Sequence, residues 1–241
     1  MTFCFRDLTI HPISEEKNLV IACDSSSGIG FKKNDIMQVS PEIMAAFCVR
    51  VPLLELICFG SEPKILVDVV GNEYHDTGKL MIRGIKGELH KAGFHEVILN
   101  GSTEENMETF TTSVGVTIIG EKKREYELPT FPSETTLLRL GIPYVGKEVV
   151  THLETIFSYS LVKELYNREE VLDMLPVGSK GISYEAHQMA QYNQLSVEFT
   201  ELDYLEESAG PATVVLLAVK ANHTKDLLAD FPMLTLIGAF K

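Results

Sequence analysis

The residues best suited to chemistry in this chain are acids and lysines placed in loops and strands. The apolar run from Asn18 to Cys23 reads as a buried strand that ends at Asp24. The segment Asp24-Ser25-Ser26-Ser27-Gly28-Ile29-Gly30 reads as a small-residue loop, with Lys32 and Lys33 just beyond it. A short acid in such a loop is either a hard oxygen ligand of the kind Mg²⁺ takes or a turn former. Glu55 falls at the end of an expected helix, where its charge meets the negative pole of the macrodipole and a bound cation would compensate it. Glu104 and Glu105 follow Asn100-Gly101-Ser102-Thr103; being adjacent, they face one site together only if the loop curves. Asp68 sits in the middle of KILVDVV, a run that would bury it, as a metal ligand or as an anchor between strands. Lys32 and Lys33 suit phosphate as point charges, or simply solubilise an acidic protein.

Other chemistries are disfavoured. There is no GxxxxGK[ST] loop, and SSGIGFKK lacks the third glycine of GxGxxG, so a nucleotide would be held in some other way. The seven histidines show no ligand spacing and read as surface or capping residues. The four cysteines (Cys4, Cys23, Cys48, Cys58) lie in apolar company without CxxC or Cys/His spacing, which points to buried free thiols rather than zinc or disulfides. A formal net charge of −13 repels polyanions, so nucleic acid is not an expected partner, and a phosphate ligand needs a divalent metal or a nest of N–H groups to offset the field. No apolar run approaches the roughly 20 residues that span a bilayer, and MTFCFRDLTI lacks the apolar stretch of a secretory signal, so no membrane partner is expected and cytoplasm is the expected location.

The elements that must position these residues alternate between strands and helices. Pro41 to Ile57 has the spacing of an amphipathic helix stopping at Gly60, with Pro52 as a kink or a change of packing. Lys64 to Val70 is expected as a strand, Gly78 to Ala92 as a helix capped by Gly93, and Val97 to Leu99 as a short strand entering a polar loop over Asn100 to Asn106. Ser113 to Gly120 has the β-branched apolar character of a central strand. The charged stretch Glu121 to Pro132, with two prolines, reads as a linker, which places two domains at 1–125 and 126–241. In the second, Leu161 to Leu172 and Tyr184 to Gln191 are helical in period, and Ala212 to Val219 and Leu234 to Phe240 read as strands. The fold class is α+β, twice over.

The order of the motifs resembles the superfamily of aminoimidazole ribonucleotide (AIR) synthetase, thiamine-monophosphate kinase, selenophosphate synthetase and the hydrogenase-maturation carbamoyl dehydratase. DSSSGIG with Lys32, Lys33 and Asp35 resembles the family's first metal-binding loop. Arg50 to Pro63 resembles its Asp-x4-Gly-Ala-x-Pro helix end, with Glu55 at the position of the metal-binding Asp. Asn100 to Asn106 resembles the Gly-Gly-(Asp/Glu/His)-Thr loop, Gly178-Ser-Lys-Gly181 the Ser-Asp-Gly signature, and Ser208 to Thr213 the late Gly-rich turn. Within the superfamily the chain is most similar to the small α-ribazole kinases of cobalamin salvage, in RDLT, CDSSSGIG, IRGI, NGSTEEN, LPVGSKGISYEA and SAGPAT.

The resemblance implies an N-terminal domain with a mixed or antiparallel sheet that dimerises, a C-terminal α/β domain, and a homodimer using ATP and Mg²⁺ on a small-molecule substrate. With it, Asn100, Gly101, Ser102 and Thr103 join Lys32 and Lys33 as candidate ATP or phosphate contacts, and Asp24, Glu55, Glu104 and Glu105 are candidate metal ligands, with Asp68 either a further ligand or the anchor between strands. Tyr184 would line the acceptor pocket, Lys180 would either contact a substrate phosphate or carboxylate there or face solvent, and the reaction implied is transfer of the γ-phosphoryl of ATP to the ribose 5′-hydroxyl of α-ribazole. Two departures stand out: Ser102 replaces an Asp, Glu or His of the family, and Lys180 replaces the Asp of Ser-Asp-Gly. They leave two other readings open, an ATP-dependent synthetase of the same fold and a nucleotide-binding regulator without turnover.

Overall fold

The computed structural model describes residues 1–125 and 127–241; Tyr126, where the second domain was expected to begin, lies outside the described residues. The chain forms two compact units, Met1–Leu56 with Gly60–Glu125, and Ile57–Phe59 with the chain after Glu125.

The first unit is built on a six-stranded sheet. In chain order its elements are β1 (Phe3–Phe5), β2 (Leu8–Pro12), β3 (Lys17–Ser27), α1 (Pro41–Phe59), β4 (Glu62–Val70), α2 (Lys79–Lys91), β5 (Ile98–Thr103) and β6 (Ser113–Lys123). The strands lie in the order β1-β2-β3-β6-β4-β5. All pairs are antiparallel except β4 with β5, which are parallel and joined through α2 as a βαβ crossover. β3 and β4 flank the antiparallel β6, so β3, β4 and β5 all run the same way. Their C-terminal ends, and the loops that follow them, therefore gather at one edge with the start of β6.

The sheet is covered on one face. Leu66, Val70, Val114, Val116 and Ile118 are buried, whereas Ile65, Val69 and Ile98 of the other face are 37%, 63% and 65% exposed. The helices α1 and α2 lie on the covered side. Cys48 of α1 meets the carbonyl of Val114, Arg83 of α2 pairs with Glu42 of α1, and a methyl at Gly84 would overlap the Glu42 carbonyl.

Several expectations are corrected. Asp24 to Ser27 is not a loop: β3 runs through it, with Asp24 opposite Val116 and Ser27 opposite Ser113. Asn100 to Thr103 is likewise strand, in register with Val67 to Val70. An 11-residue partner in β6 supplies the backbone hydrogen bonds that make strand of the weak β-formers in β3, and β4 does so for β5. α1 is apolar on more than one side, since Leu53, Leu54 and Leu56 point in different directions and are each fully buried; it passes through Pro52 to Phe59. Of the cysteines, Cys48 and Cys58 are buried, but Cys4 and Cys23 are exposed. The stretch expected as linker begins as the last residues of β6.

The second unit contains β7 (Thr136–Gly141), α3 (Lys147–Thr151), α4 (Tyr159–Tyr166), β8 (Val171–Pro176), α5 (Gly181–Tyr192), β9 (Val197–Phe199), β10 (Val214–Val219), α6 (Thr224–Asp230) and β11 (Leu234–Phe240). The strands form an antiparallel sheet in the order β8-β10-β7-β11-β9. One face packs on α5, where Leu137, Leu216, Ala218 and Ile237 meet Ile182, Ala186 and Met189. The expected helix over Leu161 to Leu172 stops at Tyr166, and Leu172 belongs to β8.

Candidate functional site

Three loops meet at the edge where β3, β4 and β5 end: residues 28–40, 71–78 and 104–112. Hydrogen bonds between residues far apart in sequence hold them. The Asp35 carboxylate accepts from the Lys32 N–H at 2.7 Å, from the Thr112 N–H at 2.7 Å and from the Thr112 hydroxyl at 2.6 Å. Gly30 makes room for this clamp, since a methyl there would overlap the Thr112 side chain and crowd Asp35. Asn72, fully buried, donates to the Thr109 hydroxyl and the Thr111 carbonyl and accepts from the Ser113 N–H.

At the centre of the loops is Glu73. It pairs with the Lys32 ammonium at 2.6 Å and accepts from the hydroxyls of Thr77 at 2.6 Å and Thr109 at 3.3 Å. Burial pushes its carboxyl up, but Lys32 and Thr77 outweigh burial and hold it at about 2. Lys32 thus lies among the loops as expected, with a carboxylate already on it, while Lys33 is exposed. Glu73, Asn72 and Thr109 carry no local signal that singles them out in the sequence; only an amide residue directly after Gly71 hints at a role.

The expected metal ligands fall in separate places. Asp24 and Asp68 stand on either side of Val116, in one row of the sheet, with Cα atoms about 10 Å apart by the spacing of strands. Both side chains are on the helix-covered face. Burial pushes the Asp24 carboxyl above the ordinary aspartate range, against the Ser25 N–H and the Cys48 thiol that favour its charge. Burial likewise raises Asp68, which is 3% exposed, and Lys86 offsets this only in part. Gly101 lies against Asp68, where a methyl would overlap the carboxylate. Glu55 is on α1, about two turns beyond Cys48. Glu104 caps the N–H groups of Asn106 at 2.7 Å and Met107 at 3.1 Å, and Glu105 accepts from the Thr103 hydroxyl at 2.7 Å and the Tyr74 N–H at 2.8 Å. Among the described residues no group of three or more His, Cys, Asp or Glu could hold a metal ion.

The expected phosphate contacts do not share a face. On β5 the side chains alternate: Gly101 and Thr103 lie with Asp68 and Val70 on the covered face, and Asn100 and Ser102 lie with Val67 and Val69 on the open one. All four β5 residues nevertheless border one open cleft of about 370 Å³ at this edge strand, lined also by Asp68, Tyr74 and Lys86. In the second unit, the Lys180 ammonium donates to the Tyr184 hydroxyl at 3.1 Å and stands 4.2 Å from its ring, at the start of α5, so the two expected pocket residues touch each other.

No protein-family model and no curated protein matches the sequence. Solved structures do match. Thiamine monophosphate kinase from Aquifex aeolicus is similar over 98% of this chain and 89% of its own, with a TM-score of 0.69 at 15% identity. E. coli HypE, a hydrogenase maturation protein, is similar over 91% of this chain and 79% of its own, with a TM-score of 0.65 at 16% identity. Phosphoribosylformylglycinamidine synthase II from Thermotoga maritima is similar over 98% of this chain, which spans only 37% of that enzyme, with a TM-score of 0.60 at 13% identity. The architecture is therefore AIR-synthase-like, a mixed α/β fold with two sheets.

Proposed function

We propose that the chain is a Mg·ATP-dependent small-molecule kinase whose phosphoryl acceptor is α-ribazole. The observation that carries the reading is the pair Asp24 and Asp68: two carboxyls on one covered sheet face, both disfavoured as anions by burial, near the edge where Lys32 and the N-termini of α1 and α2 gather. Acids perturbed by burial mark candidate functional sites, and a cation bound beside them would restore their charge. The fold supports the reading, because its likeness to a thiamine monophosphate kinase extends over nearly the whole of both chains. A further structure of this fold, T. maritima PurL, has been solved complexed with ATP.

The residues fit a magnesium ion of the kind that accompanies nucleotides. Mg²⁺ takes one or two carboxylates and fills its shell with waters and phosphate oxygens, so a closed cage of three acids is not required. Too far apart to ligate one ion directly, Asp24 and Asp68 would each offer a single carboxylate, with waters and phosphate oxygens completing the shell, and a bound ion would neutralise charge on the phosphates. The chain's own part is positional. Asp35 and Asn72 fix the loops, and Glu73 holds the Lys32 ammonium at the edge. A primary hydroxyl needs orientation and electrostatic stabilisation rather than a strong nucleophile, which such a site supplies without a catalytic triad. The open face of the first sheet, with Ile65, Val69 and Ile98, would be covered by a second copy, in line with the homodimer the resemblance implies.

The test is incubation with Mg·ATP and α-ribazole, with thiamine monophosphate and formylglycinamidine ribonucleotide in parallel, and identification of products by mass. Phosphorylated α-ribazole supports the reading. Turnover of another acceptor alone removes the acceptor assignment. ATP binding without turnover of any acceptor favours a regulator, the reading that Ser102 and Lys180 and the lack of a three-acid cluster among the described residues motivate.

A further inference from the structure

Arg139 occupies the central strand of the second sheet in the run Thr136-Leu137-Leu138-Arg139-Leu140. Alternation puts its side chain on the same face as Leu137, and its register partner Leu216 faces that way too. Both of those leucines belong to the apolar core beneath α5. The arginine is 7% exposed, and its Nε and Nη1 are buried with no hydrogen-bond partner. A guanidinium carries five N–H donors and cannot shed its proton, so it cannot relieve this by becoming neutral. Buried donors left unpaired are uncommon in folded proteins, and an ion or ligand is one of the few explanations for them.

The surroundings offer charge but leave those two donors without a bond. Burial pushes the guanidinium down from its ordinary range, and Tyr204, Glu201 and Asp203 act on it only through space. The guanidinium carbon lies 5.4 Å from the centroid of the Tyr204 ring, and Tyr204 is itself 41% exposed. Tyr204 has φ of 65°, a left-handed conformation that is an outlier for a bulky side chain. The carbonyl of its neighbour Leu205 accepts from the Ser183 N–H at 2.8 Å, which ties this segment to the first turn of α5. The segment that covers Arg139 is thus held in a strained backbone conformation beside the helix that carries Tyr184.

We propose that Arg139 is the anion-binding residue of a small-molecule site in the second unit, receiving a phosphate or carboxylate group of a ligand that displaces the Tyr204 ring. A planar guanidinium matches either oxyanion, and desolvation strengthens the pairing. The site does not depend on the identity of the phosphoryl acceptor.

The experiment is thermal unfolding of the wild type, Arg139→Met and Arg139→Lys, titrated with inorganic phosphate and separately with acetate against chloride at equal ionic strength. In chloride, Arg139→Met is expected to melt higher than the wild type, because two buried donors without hydrogen-bond partners are gone. Phosphate or acetate is expected to raise the wild-type melting temperature saturably, with the apparent affinity at least tenfold weaker in Arg139→Met and intermediate in Arg139→Lys. Response to phosphate alone assigns a phosphate monoester, and response to acetate alone a carboxylate. Equal responses in the wild type and Arg139→Met, or no response of the wild type beyond chloride, would overturn the proposal. Should Arg139→Met not fold, the Arg139 Nε–H resonance of the wild type decides: a change in its position on adding either anion supports the site, and none refutes it.

Discussion

Glu73 and Lys32, 41 residues apart in the chain, form an ion pair at 2.6 Å that joins the loop after β4 to the loop after β3. This pair, the Asp35 clamp and the buried Asn72 amide make one network of the loop edge, and its members differ in what they do for stability.

Glu73→Gln is expected to cost about 1 kcal/mol, the upper part of the range for a partly exposed pair. The folded carboxyl is held at about 2, below the ordinary glutamate value of 4.5. Its contribution is therefore full above 4.5 and is lost as pH falls toward 2. Urea unfolding of both proteins at pH 7 and pH 3 should show the difference shrinking in acid; a constant gap would mean that charge is not its source.

Asp68 has the opposite sign. Its raised pKa means that the folded protein keeps this proton to higher pH than the unfolded chain, so its contribution favours folding in acid and is lost as pH rises through the folded value. In EDTA at pH 7, Asp68→Asn should therefore be more stable than the wild type, because the amide removes a buried charge. The gain should fade as pH falls through the folded value, below which the folded wild type carries a neutral carboxyl of nearly the same shape. Melting curves across that interval are the check. A variant less stable at every pH would contradict the burial argument.

Asp35→Ala removes one carboxylate that serves three donors, so a loss of about 2–3 kcal/mol is expected. Amide hydrogen exchange should report it locally: the Lys32 and Thr112 amides lose protection before the core of β6 does. Unchanged protection at both amides would refute the clamp.

The two glycines of α2 should part company. A methyl at Gly84 would overlap the Glu42 carbonyl, so Gly84→Ala should cost about 1–3 kcal/mol through overpacking of α1 on α2. Gly87 has nothing within 4 Å of the same position, and Gly87→Ala should gain about 0.5–1 kcal/mol from helix propensity. Denaturant midpoints of the two variants test this directly, and equal effects would remove the distinction.

Much of the element order was legible in the residues themselves. Leu234 to Phe240 is a strand over the very span its apolar run suggests, and Lys64 to Val70 and the helix closed by Gly93 lie where their periods put them, because local patterning and a left-handed cap are enough to define them. The AIR-synthase-like order of motifs also pointed to the fold of the solved structures that this chain resembles. What the sequence could not convey is which residues meet. Asp24 to Ser27 and Asn100 to Thr103 look like turns because small polar residues have little strand preference of their own. Pairing with β6 and β4 overrides that preference with backbone hydrogen bonds from segments far away in the chain. The same pairing puts Asn100 and Ser102 on one face and Gly101 and Thr103 on the other, and it sets Asp24 and Asp68 on either side of Val116. Burial of Arg139 and the grip of Lys32 on Glu73 belong to the same class: they depend on what surrounds a side chain in three dimensions, and neighbours along the chain carry no record of it.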